Sequence, residues 1–423
     1  MRRAVWIVAA LLFALAPLLL KLNHTRAQPL DRPSMKYFDF PKHPFGDPVS
    51  VLNQRIRQGT AELRFEKRAG YLRSVLDALN VPVESQIAVF SKTSLQLQRI
   101  EPANPRTIFF NDSAAVAWVR GGFIELASID PQQGVLFYSL EQRAARTPEI
   151  VPRQDCLRCH ISEVILGVPG MIIRSRFTAP TGMPLLILGG YTTDHRSPLE
   201  ERWGGWYVTG AAGTARHMGN ALIIDEDHPE VELVGPPPVL ESLEAKFDTG
   251  AYLSPYSDVA ALMVFNHQMQ MTNLLTRMSW EVRAALQNRR DFAGLLRDDT
   301  NELVDYLLFV DEAPLGGRIR GTSGFAEKFA ARGPADSKGR SLRQLDLEKR
   351  LLRYPCSYMI YSEQFDNLPE QARAAIYRRM WQILSGEEKG AKYSRLSLGT
   401  RRAIIEILRE TKKGLPEYFK PVS

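Results

Sequence analysis

The chain has 423 residues, with 54 Lys and Arg against 47 Asp and Glu, a formal charge of +7. Residues 1–27 carry Arg2, Arg3, Lys21 and Arg26 and no acid, so without them 50 bases face 47 acids, and the basic pI gives no case for nucleic acid. At 44% apolar and 24% charged the composition is that of globular material, too long for one small core, and three cysteines exclude a disulfide framework.

In chain order, Met1-Arg2-Arg3 is a basic start, Ala4 to Leu20 an apolar run broken by Pro17, and Thr25-Arg26-Ala27 a small-residue cleavage sequence. Residues 1–27 therefore read as an export signal or an uncleaved N-terminal anchor in the inner membrane. Residues 28–60 are proline-rich and read as an extended arm. Glu62 to Leu79 has helical spacing. From 86 to 140 the pattern changes to short β-branched and aromatic runs: 86–90, 107–110, 115–119 and 134–138. Turn residues such as Asn111-Asp112, Gly121-Gly122 and Asp130-Pro131 separate them, which predicts a meander of strands.

Cys156-Leu157-Arg158-Cys159-His160 follows. It reads C-x-x-C-H, the attachment signature of haem c. Two thiols one short turn apart can add to the two vinyl groups of one porphyrin, and the next residue can place an imidazole on the iron. A zinc site would need a second ligand pair, and Cys356 is the only other thiol. A thioredoxin-like pair would need a βαβ setting, which the flanking sequence lacks. Haem c is attached outside the bacterial cytoplasm, so the motif and the export signal agree and are independent of one another. Cys356, in an apolar context, reads as a buried inert thiol.

Beyond the motif, 171–177 and 184–188 read as strands. Arg174 and Arg176 share one face of the first and are candidates to pair haem propionates, with a solvated strand face as the equal rival reading. An apolar strand is expected at 221–224. Asp225-Glu226-Asp227 reads as a solvated turn, with a hard cation as the rival reading. Pro236-Pro237-Pro238 marks a boundary, after which the pattern is helical: 257–286, 301–310, 341–353, 369–385 and 399–411. Met263, His267, Met271 and Leu275 lie four apart on one face of the first of these. The Gly-rich loop 314–340 lacks the residues of a phosphate loop.

The fold class expected is α+β. A β-rich part over 61–235 bears the haem motif, and a mainly helical part follows over 236–423. The sixth iron position is the open question. His267 is the first candidate, His217 the second, then Met218, Met269 or Met271, with His195 also in reach and an open site as the remaining reading. His24 and His43 fall in the leader and arm, and His228 in an acidic turn.

Cys156, Cys159 and His160 make the chain resemble a c-type cytochrome, which implies thioether bonds at the two cysteines and His160 as proximal ligand. The runs Phe90-Ser91-Lys92-Thr93-Ser94-Leu95-Gln96, Phe110-Asn111-Asp112 and Tyr354-Pro355-Cys356-Ser357-Tyr358 resemble a family of large exported bacterial proteins that contain a cytochrome c domain. Strands rather than helices are expected after the motif, unlike small cytochromes, and this puts their usual downstream Met ligand in doubt. The expected role is periplasmic electron transfer through one covalent haem c to a redox partner that the sequence does not identify. The alternative is a haem-dependent oxidoreductase, peroxidase- or dehydrogenase-like, with an open or displaceable distal site. A di-haem peroxidase would need a second C-x-x-C-H, and a sensor would need an output domain.

Overall fold

The computed structural model describes residues 46–420 apart from 230–232, 234–238 and 290–292. The leader 1–27, the arm as far as residue 45 and the triple proline at 236–238 lie outside the described residues.

Asp47 opens the first helix, α1 (Pro48–Arg57), and its carboxylate accepts from Val49 N at 3.0 Å and Ser50 N at 3.2 Å. The expected arm is therefore helical from residue 48. Only Leu72–Ala78 of the predicted helix over 62–79 is α-helical, giving α2.

Six strands follow as an antiparallel meander: β1 (Ile87–Val89), β2 (Arg106–Phe110), β3 (Ala114–Trp118), β4 (Ile124–Asp130), β5 (Gly134–Leu140) and β6 (Ile150–Pro152). The strand β4 is missing from the sequence reading because it mixes acids and Ser with its apolar residues. The short helix α3 is Leu157–His160. β7 (Arg174–Ser175) pairs with β8 (Tyr191–Thr192) in a separate two-stranded ladder. β9 (Trp206–Tyr207) returns to the main sheet beside β1, so the order is β6-β5-β4-β3-β2-β1-β9.

Side-chain alternation divides this sheet between two cores. Phe109, Val116, Trp118, Leu126, Leu136 and Tyr138 face the core built with α1 and α2. Ile108, Phe110, Ala117, Ala127, Val135 and Phe137 face the larger core. Because both faces are buried, the strands read as apolar runs rather than as polar–apolar alternation.

The larger core is organised on α4 (Val259–Gln287), whose N-cap Asp258 accepts from Ala260 N at 2.8 Å and Ala261 N at 3.1 Å. Met263, His267, Met271 and Leu275 are all buried, as are residues on every other side of the helix. It is a central helix with no solvent face over most of its length. Around it pack α5 (Ala293–Leu307), α6 (Phe325–Ala331), α7 (Glu363–Asp366), α8 (Glu370–Ser385) and α9 (Leu398–Thr411). β10 (Ala211–Ala212) pairs with β11 (Ile319–Arg320).

The class is α+β, with the sheet in the N-terminal half and the helices in the C-terminal half. The described residues belong to one compact unit. Residues of both expected parts, 61–235 and 236–423, contribute to the core around α4. The Gly-rich loop contains β11 and α6. Residues 341–353 form turns instead of a helix, and 184–188 and 221–224 are not strands. Asp225 accepts from Asp227 N at 3.0 Å in an exposed turn. Cys356 is fully buried, which pushes its thiol pKa up. Among the described residues no helix is long and apolar enough to cross a membrane.

Candidate functional site

The C-x-x-C-H pentapeptide enters from the edge of the sheet. β6 pairs with the end of β5, and Arg153 N donates to Phe137 O at 2.8 Å, which extends the ladder up to the motif. A 3-10 turn over Gln154–Cys156 leads directly into α3. Arg153 grips Asp155 through two bonds of 2.9 and 2.7 Å and fixes the turn. Cys156 rests half-buried against the larger core, while Cys159, one turn on, is exposed. Burial, with a smaller contribution from the Asp155 carboxylate, pushes the Cys156 thiol up to about 11. That is the opposite of the lowered pKa that a thioredoxin-like nucleophile requires.

His160 is held by a ring contact and a hydrogen bond. Its ring lies 4.5 Å from the ring of Phe137, centroid to centroid, and its Nδ1 is 2.9 Å from the carbonyl oxygen of Gly170. A carbonyl can only accept, so Nδ1 carries the proton and Nε2 carries the lone pair. Nε2 has no hydrogen-bond partner among the described residues. Burial holds the imidazole pKa below its usual value; Arg106 and Arg174 push the same way, and the Gly170 carbonyl opposes them. The ring is therefore neutral at pH 7, with one nitrogen ready to ligate and the other anchored.

Gly170 is itself held from two sides. Val135 N at the start of β5 donates to Pro169 O at 3.2 Å, and Gly170 N donates back to His160 O at 3.1 Å. On α4, Asn273 brackets the next residue. Its Oδ1 accepts from Met171 N at 3.1 Å and its Nδ2 donates to Met171 O at 2.8 Å. A Cβ on Gly170 would overlap Asn273 Oδ1 and come within 2.6 Å of Ile165 Cγ2. The glycine is required by this close approach.

Arg174 is exposed and Arg176 half-buried, and among the described residues neither pairs with a carboxylate. Arg176 donates to Gly189 O at 3.1 Å. Burial and the neighbouring charge of Arg174 lower its pKa. Arg106, on β2, is occupied by Glu125 of β4 at 2.7 Å.

His267 is fully buried in the middle of α4. Its Nδ1 lies 2.8 Å from His195 Nδ1 and its Nε2 lies 2.7 Å from Ser357 Oγ, with Tyr306 and Phe309 stacked beside it. Both nitrogens are engaged, so in this conformation the ring offers none to an iron. It also sits six residues, about 9 Å of helix rise, from Asn273, which adjoins the His160 loop. His217 accepts from Gly219 N at 3.0 Å through Nδ1, so its Nε2 holds the proton. Burial lowers the pKa of His267 to about 3 and that of His217 to about 4. Met218 Sδ accepts from Ser175 Oγ at 3.4 Å, and Met269 and Met271 are core residues of α4. The structure thus brings together Cys156, Cys159, His160 and the start of the segment carrying Arg174 and Arg176. His267 lies six residues along α4 from Asn273, and His217 precedes Met218, which accepts from Ser175 between the two arginines.

The donor set fits a haem c group: two thiols on one turn, and an imidazole whose free nitrogen is the one opposite its anchored edge. Cys156 and Cys159 would hold the porphyrin, His160 the iron, and Arg174 and Arg176 the carboxylates. Gly170 and Asn273 are positioning residues that the sequence reading missed. The run Gly167-Val168-Pro169-Gly170 was their only signal. No protein-family model, no curated protein and no solved structure matches this chain.

Proposed function

We propose that the chain carries one covalent haem c on Cys156 and Cys159, with His160 as proximal ligand, and that it transfers electrons in the periplasm to a redox partner. The observation that carries this reading is the His160 imidazole: the Gly170 carbonyl fixes its tautomer and leaves Nε2 free on the residue that follows two free thiols one turn apart. The bound haem supplies a one-electron iron couple. The protein's part is to fix the imidazole ring, keep it neutral, and present two arginines without acidic partners to the propionates. Residues 1–27 serve in this reading as the export signal or inner-membrane anchor.

The test is expression with a haem c maturation system, followed by mass measurement and a pyridine haemochrome spectrum. One added haem with a c-type haemochrome is expected. Mature protein of unmodified mass overturns the proposal.

The second reading, a haem-dependent oxidoreductase with an open distal position, is favoured by one observation. Both nitrogens of His267 and the acceptor nitrogen of His217 are already hydrogen-bonded inside the core. Carbon monoxide separates the two readings. Binding to the reduced protein supports an open site, and a low-spin spectrum untouched by carbon monoxide supports the carrier.

A further inference from the structure

The segment that leaves His160 is a hairpin, and its outer side is apolar. It starts at Met171, bracketed by Asn273, and runs out through Arg174 and Phe177 and back through Leu185 and Tyr191 to Thr193. Thr193 N bonds Ile173 O at 3.0 Å, β7 pairs with β8, Leu185 N bonds Phe177 O at 2.8 Å, and Ala179 N bonds Met183 O at 2.9 Å. The tip is held by the chain just past β1, where Lys92 N donates to Gly182 O at 2.9 Å. On the return arm, Leu186–Leu188 forms a 3-10 turn closed by Leu188 N to Leu185 O and Gly189 N to Leu186 O, both 3.1 Å, and braced by Arg176.

This hydrogen-bonded turn holds Leu186 (73% exposed) and Ile187 (90%) outward, and Met183 nearby at the hairpin tip is 51% exposed. Scattered exposed apolar residues need no explanation, but a cluster on one ordered turn marks a binding surface. Charge narrows the occupant. From Met171 to Thr193 there are two arginines and no acid. An apolar segment with two guanidinium groups that have no carboxylate partner among the described residues suits a flat apolar ligand that carries two carboxylates.

Resting on the haem reading, we propose that the hairpin Met171–Thr193 is the wall of the haem site, with Leu186 and Ile187 lying on the porphyrin and Arg174 and Arg176 on its propionates. The same hairpin starts at Met171, next to the glycine that orients His160, which puts its base at the motif. Covering the ring on this side excludes water and raises the iron's reduction potential.

The test compares methyl-labelled protein carrying haem with the haem-free double variant Cys156→Ser/Cys159→Ser. In the reduced low-spin or carbon monoxide form, ring current is expected to move the Leu186 and Ile187 methyl resonances upfield. The methyls of Leu398, an exposed leucine on α9, should stay in place. In electrochemistry, the pair Leu186→Asp/Ile187→Asp should retain covalent haem and show a lower reduction potential, while Leu398→Asp leaves the potential unchanged. Haem attached with unmoved Leu186 and Ile187 methyls overturns the wall and leaves the haem reading standing. So does movement of these methyls on adding anionic lipid vesicles but not with haem. Absence of haem from wild-type protein overturns both.

Discussion

The imidazole of His160 donates through Nδ1 to the carbonyl of Gly170 at 2.9 Å, and Gly170 N returns a bond to His160 O at 3.1 Å. Two residues ten apart in sequence are locked as a reciprocal pair. The lock sets which nitrogen of the ring is basic. Its rigidity comes from α4, through Asn273 and Met171.

Gly170→Ala should break this pair. The new methyl meets Asn273 Oδ1 and Ile165 Cγ2, so the loop must move. Overpacking of this kind costs about 1–3 kcal/mol. Chemical denaturation should show that loss, and the ferrous spectrum of haem-loaded protein should report weakened His160 ligation. A variant as stable as wild type with an unchanged spectrum would show that the glycine is dispensable.

Asn273→Ala removes both bonds to the Met171 backbone and leaves a buried N–H and C=O without partners. The expected loss is about 2–4 kcal/mol. The melting curve checks it, and the haem yield per protein should fall with it, because the His160 loop loses its footing.

His267→Ala should leave the haem spectrum unchanged. The ring is bonded to His195 and Ser357 and stacked on Tyr306, so its removal opens a cavity and strands two polar partners. A destabilisation of about 2–5 kcal/mol is expected from denaturant titration. A change from low to high spin in this variant would instead make His267 the sixth ligand.

Acid should destabilise the fold in a definite window. His267 and His217 are buried neutral, with pKa values of about 3 and about 4 against 6.5 when exposed, and burial drives His195 the same way. The folded-state pKa values are depressed. These groups therefore cost nothing above pH 6.5, where they are neutral in both states. As pH falls below 6.5 the unfolded chain takes up protons that the fold refuses. Each group then removes about 1.4 kcal/mol per pH unit. The loss ends near pH 4 for His217 and near pH 3 for His267. Stability measured from pH 7.5 to 4 should be flat at first and then fall. In Asn or Gln variants of these histidines the fall should be shallower.

Asp258→Ala removes the cap of α4 and the acceptor for Thr322 N at 2.7 Å and Ser323 N at 2.8 Å. A loss of about 2–4 kcal/mol is expected, larger than a simple cap, because the two loop amides lose their acceptor as well. Equilibrium unfolding of the variant checks it.

The sequence by itself determined the local features. The thiol spacing and the adjacent histidine of the motif are covalent facts of the pentapeptide. The strands at β1, β2, β3 and β5 follow from short β-branched and aromatic runs between turn residues, and the helices α4, α8 and α9 from longer stretches that no proline interrupts. Local pattern missed β4, where acids and Ser mix with apolar residues; where glycine and proline interrupt, it read a strand over 184–188 that is largely a 3-10 turn, and a loop over 314–340 that holds β11 and α6. Tertiary structure alone decided the rest. It decided that His160 meets Gly170, that Asn273 on a distant helix holds their loop, and that His267 turns to His195 and Ser357. Each of these depends on contacts ten to more than a hundred residues apart. Side-chain periodicity reports which face of an element is buried and carries no information on which partner buries it.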